Sequence, residues 1–322
     1  MKFRLVALVL AGLMISCAGT KKGKIHQTVN TKEPNGALLL AVTNDSGRDV
    51  SAALENGADP NLRLTNNSTL LVIAANLGAN SAARALLARK ANPNIFGNDG
   101  VSPLIAAALK GNAAMVEDLI KSDANVKLPN IDGRTALHAA AYNGDEKMVK
   151  LLLARGADPN WADKAGMTPL FLASEKGKYM VAKELLSTGA NPNLVLKDGF
   201  SPLMIAVQNS HNDIAEILLA RGADPNMQTN NGGTAAMICA EYDRGEAIYM
   251  LAAKGADLNA RDTNGATALM IASYRGNMFA LDALLKRGAD LKVKDNNGAT
   301  AMDYAVEARQ EKVGTLLEKT RR

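Results

Sequence analysis

The sequence predicts an all-α solenoid, in which short helix-turn-helix units stack on one another. Three observations carry this prediction: a strict period of 33 residues, a Ser or Thr that opens an apolar stretch in most periods, and a glycine that usually ends a second apolar stretch. The hexapeptide RGADPN illustrates the period, because it occurs at 155–160 and again at 221–226, two periods later. Self-similarity at a fixed period is typical of repeat proteins.

Three sets of positions share this period without insertion or deletion. An Asp or Asn recurs in the loop at Asp59, Asn92, Asn125, Asp158, Asn191, Asp224, Asp257 and Asp290. A hydroxyl residue, at what we call the cap position, recurs at Thr69, Ser102, Thr135, Thr168, Ser201, Thr234, Thr267 and Thr300. A small residue five places later, at the small-residue position, recurs at Ala74, Ala107, Ala140, Ala173, Ala206, Cys239, Ala272 and Ala305. Such agreement in register indicates repeated structure.

The first helix of each unit begins after the cap position. A Ser or Thr hydroxyl there accepts a hydrogen bond from a backbone N–H that the helix leaves unpaired. Proline is favoured at the next place, where its missing N–H costs nothing, and Pro103, Pro169 and Pro202 stand there. The small-residue position then falls on the inner face, where a neighbouring helix approaches closely.

The second helix ends in leucine pairs such as Leu152-Leu153 and Leu218-Leu219, followed by glycine at what we call the stop position. Glycine there takes a left-handed conformation and ends the helix, and the Asp/Asn-Pro-Asn that follows is typical of a turn. Lys90 and Asp123 replace the glycine in two units. Aspartate tolerates a left-handed backbone moderately and lysine less well.

These units resemble ankyrin repeats, most closely in GRTALHAAAYNG (133–144) and GMTPLFLASEKG (166–177). The resemblance covers about residues 35–322 and implies nine repeats with β-hairpin-like loops between them. In its histidine position only His138 is a histidine, and elsewhere mostly apolar residues stand there. The resemblance further implies a protein–protein interaction module without catalytic activity.

Two units depart from the pattern. The first, at 35–61, lacks its opening turn. The unit at about 232–259 has Asp243 in a usual glycine place and Ala252 where most units have a second leucine. We expect this unit to be among the less stable internal ones.

The net charge of +5 suggests a basic protein, but its distribution does not favour nucleic acid as a partner. Six of the 37 basic residues and one of the 32 acidic residues precede residue 35, which leaves 31 of each sign in the array. A neutral array provides no general attraction for a phosphate backbone.

The N-terminus resembles a bacterial lipoprotein signal peptide. A short basic start and an apolar run from Leu5 to Ile15 precede LMISC (13–17), a loose match to a lipobox. The run is too short to span a bilayer. The resemblance implies a signal peptide at 1–16, lipidation of Cys17 as membrane anchor, and a flexible tether at 17–34 before the array at 35–322. Cleavage after Ala18, which would release a soluble protein, and an uncleaved leader remain open.

The sequence offers no catalytic motif. No G-x-x-x-x-G-K-[ST], G-x-G-x-x-G or H-E-x-x-H occurs, and His26, His138 and His211 cannot supply a zinc site. In DNNG (295–298) the glycine comes too early for an EF-hand, which favours a turn. Cys239, at the small-residue position, is expected to be a buried packing residue. We therefore expect no enzyme activity, cofactor, metal or small-molecule substrate.

The candidate partner-binding residues are those that vary between units. In ankyrin-like stacks, variable side chains at loop tips and on first helices line a concave surface. At the loop tips these candidates are Phe96, Arg134, Met167 and Phe200, and on the first helices they are Tyr142, Lys176, Tyr242, Tyr274 and Arg275. Trp161 is expected to pack on a neighbouring loop. The function expected is binding of an unidentified protein in the bacterial cell envelope; the alternative is a surface-displayed or secreted protein that contacts host or competitor proteins.

Overall fold

The computed structural model of the protein describes residues 33–65 and 67–321. This part of the chain forms nine consecutive helix pairs, which confirms the predicted all-α solenoid of nine units. The pairs are α1 (Pro34–Thr43) and α2 (Gly47–Glu55), α3 (Leu70–Leu77) and α4 (Asn80–Ala88), α5 (Pro103–Leu109) and α6 (Ala113–Lys121), α7 (Ala136–Asn143) and α8 (Glu146–Ala154), α9 (Pro169–Glu175) and α10 (Tyr179–Ser187), α11 (Pro202–Gln208) and α12 (Asn212–Ala220), α13 (Ala235–Glu241) and α14 (Gly245–Ala253), α15 (Ala268–Arg275) and α16 (Met278–Lys286), and α17 (Ala301–Glu307) and α18 (Glu311–Arg321).

The cap position does what the sequence predicts. In most units the hydroxyl accepts a hydrogen bond from the backbone N–H three residues later, as Thr168 does from Phe171 at 3.1 Å. At Thr135 and Thr300 the hydroxyl bonds the side chain three residues later, His138 or Asp303, in place of that residue's N–H. Asp303 Oδ2 accepts hydrogen bonds from both the Thr300 N–H and the Thr300 hydroxyl, each at 2.7 Å. From α3 on, each first helix therefore begins directly after its Ser or Thr.

The core runs through the whole stack. The residues at the small-residue position are at most 1% exposed, so first helices of neighbouring units come into close contact there. Cys239 is fully buried among them, as expected, and burial raises the pKa of its thiol, which keeps it protonated. Since each unit packs mainly on its neighbours, the chain has one continuous core with no single centre.

The stop position has the predicted left-handed backbone even without glycine. Lys90 has φ 63° and Asp123 has φ 65°. Asp243, in the turn between α13 and α14, also lies in the left-handed region, at φ 57°. Its Oδ1 accepts a hydrogen bond from the Ala280 N–H at 2.8 Å, so this aspartate also caps the second helix of the following unit.

The hexapeptide RGADPN is more than a turn, because its last residue joins two units. Asp158 Oδ1 accepts from the Asn160 N–H at 2.8 Å and thereby fixes the turn. The Asn160 amide then reaches the next unit, where its Oδ1 accepts from the Asn191 N–H at 2.7 Å and its Nδ2 donates to the Gly189 carbonyl at 3.0 Å. Equivalent pairs of bonds are made by Asn94, Asn193 and Asn226.

The loop tips are tight turns and not strands. Within the described residues the β-pairing consists of a single isolated bridge, between Arg63 and Thr69. In DNNG, Asp295 Oδ1 accepts from the N–H groups of Asn297 and Ala299, which supports the turn interpretation over a calcium loop. No helix in 33–65 or 67–321 has both the length and the apolar character needed to cross a bilayer. Cys17, the predicted signal peptide and nearly all of the predicted tether lie outside the described residues.

Candidate partner-binding surface

The loop tips and the C-terminal ends of the first helices lie along the stack on one face, which we call the tip-and-helix face. Its exposed large side chains include Phe96 on a tip, 43% exposed, and Tyr242 and Tyr274 at helix ends, 42% and 40% exposed. Tyr142 is half-buried, and Lys176 of the next unit places its Nζ 4.9 Å from the centre of the Tyr142 ring. These four aromatic side chains therefore contribute exposed or half-exposed apolar surface to this face.

Two predicted tip residues do not project, and the expectation that they face a partner is wrong. Met167 is 5% exposed and Phe200 is 8% exposed. Each directly precedes the cap residue of its unit, Thr168 or Ser201, and an apolar residue at that place commonly folds back onto the first helix. They belong to the core of the tips.

Arg134 is also engaged within the array. Its Nε donates to Asp163 Oδ2 of the next tip at 2.9 Å, and the two side chains are 18% and 2% exposed. The same junction holds Trp161, whose Nε1 donates to the Gly133 carbonyl at 2.8 Å, so this tryptophan does contact the neighbouring loop. Arg134 therefore contributes to the rigidity of two adjacent tips.

His138, buried beneath the same two tips, joins them by hydrogen bonds. The ring is 1% exposed; its Nε2 lies 3.0 Å from the Met167 carbonyl, and its Nδ1 contacts the Thr135 N–H and hydroxyl. Burial lowers the pKa of His138 to about 4, against smaller opposing effects of the Met167 carbonyl and Asp163. The imidazole is therefore neutral at pH 7 and its role is structural.

Glu175, at the end of α9, is a buried carboxylate in the middle of this face. It is 8% exposed, and its Oε2 accepts no hydrogen bond from any described residue. Lys176 Nζ stands 3.9 Å from that oxygen, which is an ion pair too long for a hydrogen bond. Burial raises the pKa of Glu175, partly offset by the positive charges of Lys176 and Arg134.

Arg275 and Tyr274 make contacts in both directions along the stack. The Arg275 guanidinium pairs with Glu241 of the preceding unit, with Nε to Oε2 at 2.9 Å. The Tyr274 ring meets Tyr304 of the following unit edge to face, with centroids 6.3 Å apart. Tyr304 in turn donates its hydroxyl to Asp295 Oδ2 at 2.9 Å.

These residues enclose a pocket of about 370 Å³ between the last three units. Its walls are formed by Glu241, Asp262, Ala266, Ile271, Tyr274, Arg275, Asp295, Asn297, Ala299, Tyr304 and Glu307. Sequence reasoning singled out Tyr274 and Arg275 but missed the role of Tyr304. A signal was present: every other first helix from α3 on has Ile, Leu or Ala at the place of Tyr304.

Hydrogen bonding within the pocket is strong. Burial acts to raise the pKa of Asp295, but hydrogen bonds from the Ala299 N–H, the Tyr304 hydroxyl and the Asn297 N–H outweigh it and lower that pKa. Burial, together with the bond to Asp295, raises the pKa of Tyr304 to about 12. Among the described residues, no group of three His, Cys, Asp or Glu side chains is placed to hold a metal ion.

Comparison with known proteins gives one family. The family model described as "Ankyrin repeats (3 copies)" matches residues 38–130, 114–195, 182–262 and 236–321. These overlapping matches together cover nearly all of the described chain. A search of curated proteins gave no match.

Proposed function

This chain belongs to the ankyrin repeat family, and from that premise we propose that it binds a partner protein through the tip-and-helix face and catalyses no reaction. Ankyrin repeats are a generic protein–protein interaction module. The observation that carries the proposal is the exposure of Tyr142, Tyr242 and Tyr274 on one face, at places where other units have different residues. Tyrosine and arginine supply much of the binding energy in protein interfaces.

The distribution of side-chain contacts supports this choice of face. Repeated residues such as the cap hydroxyls and the loop asparagines are engaged in internal hydrogen bonds. By contrast, Tyr242 and Phe96 make no polar contact that the fold requires, and both expose more than a third of their surface. Residues that stability does not use are free to serve recognition.

A crosslinked pull-down from the native envelope tests the proposal. We expect Tyr142→Ala/Tyr242→Ala to lose most of the partner that the natural protein recovers. The matched control is Met180→Ala/Phe279→Ala, because Met180 and Phe279 are 51% and 76% exposed on second helices, away from this face. Equal recovery by both double variants would count against the tip-and-helix face.

We further propose that the protein is anchored in a bacterial cell envelope by lipid on Cys17. The support is sequence alone: a basic start, a short apolar run and LMISC (13–17). Phase partitioning with a cloud-point detergent compares the natural protein with Cys17→Ala. We expect the natural protein in the detergent phase and Cys17→Ala in the aqueous phase; unchanged partitioning would rule out the anchor.

The side of the membrane is a separate question. Protease treatment of intact cells distinguishes a periplasmic array, which survives, from a surface-displayed one, which is cleaved. A surface-displayed or secreted protein would favour a host or competitor protein as the partner.

A further inference from the structure

We infer that the pocket between the last three units binds an arginine side chain of the partner protein, so that the partner presents a basic segment there. The inference rests on the proposed function, which it extends by naming the chemistry of the partner. Its basis is a comparison of the pocket with an equivalent place in the same stack, where an arginine of the array is already bound.

The pocket has the charge and the walls that a guanidinium needs. Four carboxylates line it, and its only lining cation, Arg275, is paired with Glu241. Tyr274 and Tyr304 provide aromatic surface, on which a guanidinium stacks favourably. A volume of about 370 Å³ is within the range of pockets that enclose small ligands.

Three aspartates occupy the same place in three tips: Asp163, Asp262 and Asp295. In each, Oδ1 accepts two backbone N–H groups of its own turn, as Asp262 does from Asn264 and Ala266 at 2.9 and 2.8 Å. Their second oxygens differ. Asp163 Oδ2 accepts from Arg134 at 2.9 Å and Asp295 Oδ2 from Tyr304 at 2.9 Å, whereas Asp262 Oδ2 has no donor within the described chain.

The missing donor has a cause in the sequence. The residue that pairs with Asp163 is Arg134, in the preceding unit. The equivalent residue in the unit preceding Asp262 is Gly233, which has no side chain. Arg261 does not compensate, because its guanidinium bonds the Gly265 carbonyl and Asn296 Oδ1. Asp262 as a whole is only 8% exposed, but its Oδ2 is not fully buried, so this oxygen stays accessible from the pocket that Asp262 lines.

The array therefore shows which group fits this place. At Asp163 it is a guanidinium, provided in cis. At Asp262 the equivalent side chain is absent, while a pocket with tyrosine walls and excess negative charge lies beside the carboxylate. An arginine from outside would restore the missing ion pair and stack on the tyrosines, and its forked donors suit a carboxylate better than lysine does.

The test uses fluorine NMR of the full chain labelled with 3-fluorotyrosine. Each of the six tyrosines gives one resonance, which reports on its own surroundings. Phe substitutions assign Tyr274 and Tyr304. The probe is the peptide acetyl-Gly-Gly-Arg-Gly-Gly-amide, and its matched control carries citrulline, which is uncharged. We expect a saturable shift of the Tyr274 and Tyr304 resonances by the arginine peptide, in the millimolar range, and affinity lower by about tenfold for citrulline.

Two variants test whether the peptide binds at Asp262. Asp262→Asn removes the charge but keeps the Oδ1 acceptor, as Asn130 does at the equivalent place, and should abolish the shift. Thr229→Asn/Gly233→Arg recreates the Asn130 and Arg134 pair in cis and should block the peptide. Asp282→Asn is the charge control, because Asp282 pairs with Lys286 on α16; it should bind like the natural protein.

The inference is overturned if the arginine peptide gives no saturable shift, or if citrulline or Asp262→Asn binds equally well. A lysine peptide of equal affinity would overturn the assignment to guanidinium. Failure here is distinct from failure of the proposed function: a partner recovered equally by Asp262→Asn and the natural protein, yet lost by Tyr142→Ala/Tyr242→Ala, would refute the pocket alone.

Discussion

Asp163 and Asp262 show how much the contribution of an aspartate to the free energy of unfolding depends on its surroundings. The Asp163 carboxylate is buried and paired with Arg134, whereas Asp262 is buried with one oxygen unpaired. We expect Asp163→Asn to lower the free energy of unfolding by about 2 kcal/mol, because it weakens a charged hydrogen bond in a buried place. Asp262→Asn should leave it unchanged or raise it, because Oδ2 accepts no hydrogen bond that would be lost and one negative charge is removed from a pocket lined by four carboxylates.

Urea unfolding followed by circular dichroism measures both variants. Asn keeps the Oδ1 acceptor in each case, so the turn itself is a shared background. Equal loss of stability in the two variants would show that Asp262 is satisfied without a ligand. A gain for Asp262→Asn would instead indicate that stability is given up at this residue for recognition.

His138 makes the stability of the array depend on acid. Its pKa is about 4 in the folded chain against 6.5 for the free side chain, so the stability that the neutral imidazole contributes is complete above pH 6.5. That stability is lost as the pH falls from about 6.5 to 4, and the loss amounts to about 3 kcal/mol at pH 4.

The variant His138→Met isolates this effect, since Met204 and Met270 occupy the same place in other units. At pH 7 we expect His138→Met to be less stable than the natural protein, because the bond to the Met167 carbonyl is lost. The gap should close or reverse by pH 4. Urea midpoints at the two pH values measure it, and parallel pH dependences would contradict the assignment.

At the scale of helices and turns, the sequence predicted most of the helices and turns but few of the side-chain contacts between units. The cap, small-residue and stop positions located helix pairs because each depends on local backbone chemistry. Met167 and Phe200 were misplaced because a residue before a cap is in a loop by sequence but in the core by packing. The Arg134–Asp163 bond joins residues of different units, and only the stacking brings them together.

The loop asparagines make one element depend on the next. Asn193 Oδ1 accepts from the Asp224 N–H and its Nδ2 donates to the Gly222 carbonyl, both at 2.9 Å. We expect Asn193→Ala to cost about 1–2 kcal/mol, because two bonds across one junction are lost. Urea unfolding measures the loss.

Lys127 offers the converse change. It stands where most units have asparagine (Lys292 is the other exception), and a lysine has no acceptor for the Asp158 N–H of the next unit. The backbone is already suitable, since the Lys127 N–H bonds Asn125 Oδ1 as Asn160 N–H bonds Asp158. Lys127→Asn should therefore stabilise the array by about 1 kcal/mol. Destabilisation would show that the junction between these units is built differently.

At the scale of the whole molecule, the proposals assign different tasks to the two ends of the stack. The proposed anchor precedes α1, while the arginine pocket involves α13, α15 and α17. Helices pack about 8–10 Å apart, so the pocket lies on the order of 60 Å along the stack from the first unit. The acidic pocket and the proposed anchor thus lie at opposite ends of the stack, so the partner and the membrane do not compete for the same surface.

A linear stack also need not unfold as one body. Its stability is approximately a sum over units and their junctions, so the weakest internal unit opens first. The sequence identifies the unit of α13 and α14 for this role, because Ala252 occupies the place that Leu219 occupies one unit earlier. Leu219 is 7% exposed, whereas Ala252 is half-buried and its smaller side chain has less apolar area to bury.

Native-state hydrogen exchange should therefore show lower protection in α13 and α14 than in α11 and α12. Ala252→Leu should remove this minimum and add about 1 kcal/mol, since it buries further apolar area. Leu219→Ala is the matched control: it should create a second minimum in α11 and α12, at a cost of about 2–3 kcal/mol. Equal protection of both units in the natural protein would refute the assignment of the weak unit.

Local opening of α13 and α14 would also loosen the Glu241 side of the pocket, because Glu241 lies at the end of α13. Ala252→Leu should therefore slow the release of a bound arginine peptide, although residue 252 does not line the pocket.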